Sequence, residues 1–315
     1  MSIYFAKLSF YLKLLENVSL PAYLGSTLRG GFGHVFKRTV CLSPERNCQE
    51  CLLKGKCAYS YCFETPTSPE IALSYKSSNY PHPFIIEPLP KPQSWSKEDN
   101  HINFNLVLVG KGIDYLPYFV FLFDELGRLG IGRERGKYLL EKVEGLSDFS
   151  NTQYETIYES RGRFLSNGYK VKTLADIVNE TSGYTGQTLT INFVTPTRIK
   201  YQGKLGSNID FCVFIKNLLR RISLLSEMHC SSRLDLNYAE IIEKAKKVQT
   251  IGSNLHWYDW ERYSSRQKTR MKLGGFMGDI SFEGDLAEFM PFIKLGEYLH
   301  IGKGTVYGLG KYQIK

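Results

Sequence analysis

Residues 2–14 alternate apolar and polar positions with a period of two and predict a strand. The chain then turns at Leu20-Pro21 into a helical stretch that ends near Val40. At 100° per residue, Leu24, Leu28, Phe32, Val35 and Phe36 cluster within about 120° of that helix and are assigned to the core. Short strands are expected at 70–76, 83–87 and 102–109, separated by a Pro/Ser/charged loop over 88–100. A helix over Tyr115–Leu129, stopped by Gly130 and Gly132, and a strand over Lys137–Val143 complete the set. The order is β-α-β-β-α-β, that of a ferredoxin-like fold.

Residues 144–186 are polar, with one short apolar stretch at Leu174–Val178, and mark a junction. The pattern then restarts. Thr188–Val194 predicts a strand, and 211, 214, 215, 218, 219, 222 and 225 place apolar residues at helical spacing. Strands at 255–263 and 270–282, a helix near 286–296 and a strand over Val306–Ile314 follow. The expectation is an α+β chain of two tandem ferredoxin-like domains. The first is 1–165 with a cysteine-rich insertion at 41–62, then come a linker at 166–186 and a second domain at 187–315 with a glycine-rich loop.

Lys plus Arg number 40 against 31 Asp plus Glu, a formal charge of +9, which makes a polyanion such as nucleic acid the first partner to consider. The longest apolar run, Tyr115–Phe123, falls short of a membrane span and contains Pro117. Lys7 and Lys13 interrupt what would be a signal-peptide core, so a cytoplasmic location is expected. Three glycine-rich stretches fail as nucleotide sites. Gly25–Gly30 lies within a helix and lacks the Lys-Ser/Thr of a P-loop, and Gly130–Gly136 runs helix to strand, the reverse of a dinucleotide fingerprint. Gly296–Gly302 has the wrong spacing, so no nucleotide cofactor is expected.

Opposite its apolar side, the first helix would line up Tyr23, Thr27, Gly30, His34 and Lys37. An imidazole can exchange a proton near neutrality and Lys37 could offset phosphate charge, although most exposed histidines do no chemistry. Near the C-terminus, Gly302, Lys303, Gly304, Gly308, Gly310 and Lys311 alternate small and cationic residues, a composition suited to close approach of phosphates or to a plain turn. Trp257 to Gln267 interleaves aromatics with Arg262 and Arg266, the mixture that stacks bases and grips a backbone. Five of seven cysteines, Cys41, Cys48, Cys51, Cys57 and Cys62, fall in one loop. Four thiolates would satisfy a closed structural zinc, leaving Cys41 or Cys62 spare; an iron–sulfur cluster and bare thiols are the alternatives.

Gly25-Ser-Thr-Leu-Arg29-Gly30-Gly-Phe-Gly33, the loop ending Cys57-Ala-Tyr59, Gly130–Gly136, Thr195-Pro196-Thr197-Arg198, Leu218-Leu-Arg220-Arg221, Trp257–Gln267, Leu273–Gly278 and the terminal glycines occur in a specific order. In this order they resemble the CRISPR precursor-RNA processing endoribonucleases of the RAMP superfamily, in a subfamily with a cysteine-rich loop. The resemblance implies two ferredoxin-like domains and metal-independent cleavage of CRISPR repeat RNA, leaving 2′,3′-cyclic phosphate and 5′-hydroxyl ends. It implies catalysis by His34, with Tyr23, Arg29, Lys37 or Arg38 as helpers and His300 as competitor or partner. RNA binding would fall to Arg29, Arg38, Arg198, Arg220, Arg221, Arg262, Arg266 and the terminal glycine loop with Lys303, in a cleft between domains. Repeat RNA and CRISPR effector-complex subunits are the implied partners, and a non-cleaving RNA-binding subunit of such a complex is the alternative reading.

Overall fold

A computed structural model of the chain describes residues 3–43, 47–75, 80–89, 100–162, 164–201, 204–259, 261–264 and 269–315. These form two compact units. One holds Tyr4–Lys172 with Met228–Cys230, and the other Met1–Ile3, Thr173–Glu227 and Ser231–Lys315.

In the first unit the elements are β1 (Tyr4–Leu14), α1 (Gly25–Val40), α2 (Pro69–Tyr75), β2 (Phe84–Pro88), β3 (His101–Val109), α3 (Leu116–Leu129), β4 (Tyr138–Asp148) and β5 (Gln153–Glu159). The sheet order β2-β3-β1-β4-β5 is antiparallel throughout, a ferredoxin-like arrangement with β5 added at the edge. The five residues assigned to the core side of α1 are all buried. Phe32 stacks on Phe123 of α3, centroids 4.9 Å apart and planes 9° from parallel, and Phe10 of β1 stacks on Phe104 of β3 at 4.9 Å. This aromatic layer fixes the rotation of α1. On the sheet, Ser9 Oγ donates to Asn105 Oδ1 (2.8 Å) and Asn105 Nδ2 donates to the buried carboxylate of Glu87 (2.7 Å). These groups stand directly across three adjacent strands, so the polar chain pins their register.

The expected strand at 70–76 is instead α2. Ser68 Oγ accepts from Ile71 N (3.4 Å) and Pro69 opens the first turn, where its missing N–H costs nothing. None of its residues is buried, so no sheet pattern competes.

The segment expected as a linker holds β6 (Lys172–Thr173), a short strand that pairs with β1, and α4 (Leu174–Thr181), the first helix of the second unit. A reciprocal capping box between Thr173 and Asp176 starts α4, and Ile177 anchors it. Then come β7 (Thr188–Thr197), β8 (Lys200–Tyr201), β9 (Lys204–Leu205), α5 (Phe211–His229), α6 (Tyr238–Ala245), β10 (Gln249–Tyr258), β11 (Glu261–Ser264), β12 (Thr269–Lys272), β13 (Gly275–Glu283), α7 (Met290–Leu299) and β14 (Tyr312–Ile314). The main sheet runs β10-β13-β7-β14, again ferredoxin-like. The last strand is shorter than expected because Thr305–Tyr307 forms a 3-10 turn between Gly304 and Gly308, both left-handed at φ 78° and 84°.

No helix among the described residues is long and apolar enough to cross a membrane.

Candidate functional site

His34 lies exposed on α1, with Arg38, also exposed, one turn further on. Tyr23 is not on the same helix. It precedes the N-cap, Leu24, and burial followed by the charge of Glu87 raises its hydroxyl pKa well above the usual phenol range. At neutral pH it is a hydrogen-bonding group rather than a base. Lys37 is half-buried, its ammonium 5.5 Å from the Tyr59 ring centroid and hydrogen-bonded to Cys48. It is therefore aimed at the cysteine loop.

That loop packs along one flank of α1. A Cβ on Gly33 would stand 2.6 Å from Phe63 Cε1, so the glycine is required by an aromatic ring seated on the helix, not by a phosphate. Cys41, Cys48, Cys51 and Cys57 line one small cavity of about 30 Å³, and Cys62 is fully buried elsewhere in the loop. Burial pushes the Cys48 thiol up against the opposing pull of Lys37, and pushes Cys62 up further. Among the described residues no three His, Cys, Asp or Glu side chains stand in a metal-holding arrangement.

Beyond the cysteines the chain forms a π-helical turn, Ser60–Glu64, closed by Thr65 N donating to Ser60 O at 2.8 Å. Thr65 then takes φ 47°, a left-handed conformation that a β-branched residue rarely adopts. Arg29 of α1 donates from Nη2 to His82 Nε2 (3.4 Å), which leaves His82 Nδ1 to donate to Thr65 Oγ1 (2.6 Å), and Thr65 Oγ1 to donate to Cys62 O (3.4 Å). His229, at the end of α5 and part of this unit, contacts Pro81 O through Nε2 (2.9 Å) and Tyr61 Oη through Nδ1 (3.0 Å). Nε2 must be the protonated nitrogen, so Tyr61 donates to Nδ1. Together these bonds fix Pro81 and His82 against the loop and frame a cavity of about 440 Å³ whose lining includes Glu64, Thr65, Tyr80 and His82. None of these four was singled out in the sequence. His82 gave no signal because nothing local pairs it with Arg29, 53 residues away.

In the second unit, Gly302, Gly304, Gly308 and Gly310 all have positive φ. A Cβ on Gly310 would stand 1.8 Å from Ile301 O, so only glycine closes this loop. Lys303 is exposed at its tip; burial first, then the like charges of Lys200 and Arg198, lower its ammonium pKa. His300, the expected catalytic competitor, is fully buried at φ 59°, with Nδ1 3.1 Å from Leu309 O. In this position it braces the glycine loop and presents no surface to RNA. Arg221 is likewise buried, donating from Nε to Leu299 O (2.8 Å) and His300 O (3.1 Å) at the end of α7. Burial pulls its guanidinium down to about 9, and it serves as a cap for these carbonyls rather than an RNA contact. Arg220 is exposed and Arg198 half-buried. Arg262 sits on β11, and Arg266 lies outside the described residues.

Residues 3–169 match the family model of the N-terminal domain AF_1859_N, and residues 191–312 match that of the CRISPR-associated endoribonuclease Cas6. An uncharacterized protein of Archaeoglobus fulgidus is 22% identical over 304 residues, 94% of this chain and 93% of its own. Among solved structures, a Cas6 product complex superposes with TM-score 0.59 at 15% identity, covering 99% of this chain and 100% of that one. Thermus thermophilus Cas6 superposes with TM-score 0.56 at 14% identity, covering 100% of each. A chain of a partial Cas6-RT-Cas1–Cas2 complex gives TM-score 0.59 at 12% identity, all of this chain matching 46% of that one. At such identities the superpositions establish the fold, two ferredoxin-like domains, and the family models carry the kinship. The chain belongs to the AF_1859_N family through residues 3–169, and its residues 191–312 match the domain of the CRISPR-associated endoribonuclease Cas6.

Proposed function

We propose that the chain cuts CRISPR repeat RNA in precursor transcripts without a metal, leaving 2′,3′-cyclic phosphate and 5′-hydroxyl ends. The RNA's own 2′-hydroxyl is then the nucleophile, and the protein orients it, moves protons and offsets phosphorane charge. The observation that carries this reading is the exposure of His34 on a helix whose rotation is locked by buried aromatics. A rigidly presented imidazole can take the 2′-hydroxyl proton or give one to the leaving 5′-oxygen. Lys303, with Lys200 and Arg198 beside it, supplies phosphate contacts in the second unit, and the exposed Arg38 and Arg220 add charge for the backbone. Trp257 and Tyr258, 41% and 47% exposed at the end of β10, offer faces on which bases stack. Lys37, Tyr23, His300 and Arg221 act on this account by holding their surroundings. A solved Cas6 product complex and a Cas6-RT-Cas1–Cas2 complex support repeat RNA and other CRISPR proteins as partners.

The test is cleavage of end-labelled cognate repeat RNA in EDTA by wild type and His34→Ala. Cyclic-phosphate ends from the wild type, and a rate loss of about 100-fold or more in the variant, are expected. Tight binding with no cleavage would convert the assignment to a non-catalytic RNA-binding subunit.

A further inference from the structure

The cavity beside the cysteine loop has the size and chemistry of a ligand site. Its volume, about 440 Å³, falls in the range of about 300–1,000 Å³ usual for small-ligand pockets. Its walls are preset: His82 is clamped between Arg29 and Thr65, and Pro81 is held by His229. Thr65 keeps its left-handed backbone there, and a π-helical turn stands immediately before it, two departures from relaxed geometry that cluster at functional sites. Tyr80 lines the cavity, and its hydroxyl is buried and has no hydrogen-bond partner among the described residues. A buried hydroxyl left so is costly, and a bound group that reaches it recovers that energy.

We propose that this cavity receives one unstacked base of the RNA, a base with an exocyclic amine. The carboxylate of Glu64 is an acceptor for an amine and would repel a phosphate, the Tyr80 hydroxyl can donate or accept, and the rings of Tyr80 and His82 offer stacking faces. Lys54, in the same lining, supplies charge for the attached phosphate. The cavity is tied to α1 through Arg29 at His82 and through Lys37 at Cys48. These two cations are eight residues, about 12 Å, apart on the helix that carries His34 between them. A base held here therefore fixes the register of the strand beside the catalytic histidine. The inference rests on the RNA-cleaving reading and deepens it by naming a specificity site.

The experiment measures binding, so that it stands apart from cleavage. Repeat RNA carrying 2′-deoxy residues is titrated into wild type, Glu64→Gln and Tyr80→Phe, alongside repeats with each guanine, cytosine or adenine changed to uracil in turn. At one position the wild type should lose about tenfold in affinity on substitution; both variants should lose a similar factor on the cognate RNA and discriminate there no longer. Variants that bind and discriminate as the wild type does overturn the proposal, while leaving the nuclease reading to its own assay. A wild type that shows this discrimination but never cuts RNA overturns the nuclease reading and keeps the pocket. Should a variant fail to fold, 6-thioguanosine or 8-azidoadenosine, both of which keep an exocyclic amine, placed at each purine position of the repeat decides on wild type. Crosslinks to the peptides bearing Glu64 or Tyr80 support the pocket, and crosslinks confined elsewhere overturn it.

Discussion

Burial and the neighbouring Lys200 and Arg198 lower the Lys303 ammonium, so an anion placed against the three relieves both the desolvation and the repulsion. Each phosphate neutralised on a single strand releases counterions that appear as a salt slope of about 0.7 per contact. Lys303→Gln is therefore expected to reduce the slope of log affinity against log salt by about 0.7, uniformly across RNA sequences; an unchanged slope would remove Lys303 from the phosphate contacts. Glu87 makes the contrasting case. Its buried carboxylate accepts from Asn105 and has Lys7 Nζ at 3.8 Å, a structural network well inside the sheet. Asn105→Leu removes the donor and leaves a buried charge short of a partner, which should cost about 3–5 kcal/mol in chemical denaturation. No residue pattern announced this network, because Ser9, Asn105 and Glu87 are brought together only by strand register.

At the scale of elements, α1 is the piece the sequence states most plainly. Its five core positions repeat at helical spacing, and all five are buried. The side that mattered less in the pattern, Arg29, Gly33 and Lys37, is where the cysteine loop docks, and its partners come from distant segments. Tyr23 fell onto the expected stripe only because the periodicity continues past the true helix start. Both ferredoxin-like sets were legible from their strand and helix order; α2 was misread because seven residues are too few for periodicity to separate helix from strand. In the terminal loop the glycines were legible, yet the burial of His300 was not, since its left-handed backbone and its contact with Leu309 depend on the closed loop. Gly310 is the keystone of that closure. Gly310→Ala must shift either the loop or Ile301 and is expected to lower stability by about 1–3 kcal/mol and RNA affinity with it. A melting temperature equal to wild type would show that the loop tolerates a side chain.

Across the whole molecule, buried thiols and phenols dominate the proton balance at high pH. Burial raises Cys230 from about 9 to about 11, and Tyr138 and Tyr312, whose hydroxyls donate to Phe123 O and Ile293 O, are raised well above the usual phenol range. Above pH 9 the unfolded chain releases protons that the folded chain retains, so stability is complete below that pH and falls as pH rises through the Cys230 value of about 11. Melting temperatures should hold steady from pH 7 to 9 and decline beyond, and Cys230→Ala should flatten the first part of the decline; constant melting temperatures to pH 11 would contradict it. The positive charge of the chain, +9, made nucleic acid the first partner to consider, and the basic cluster around Lys303 gives part of that charge a location. What composition could not reveal is which basic residues are surface and which, like Arg221, are consumed in capping buried carbonyls. The central claim, that His34 drives attack by the RNA's own 2′-hydroxyl, is tested most directly by cleavage of cognate repeat RNA in EDTA with one 2′-deoxy residue at the cut, for wild type and His34→Ala. The account predicts cyclic-phosphate ends from all-ribose RNA, no cleavage of the deoxy substrate, and a loss of about 100-fold or more in the variant. Cleavage that survives the deoxy substitution, or that His34→Ala leaves at the wild-type rate, would contradict it.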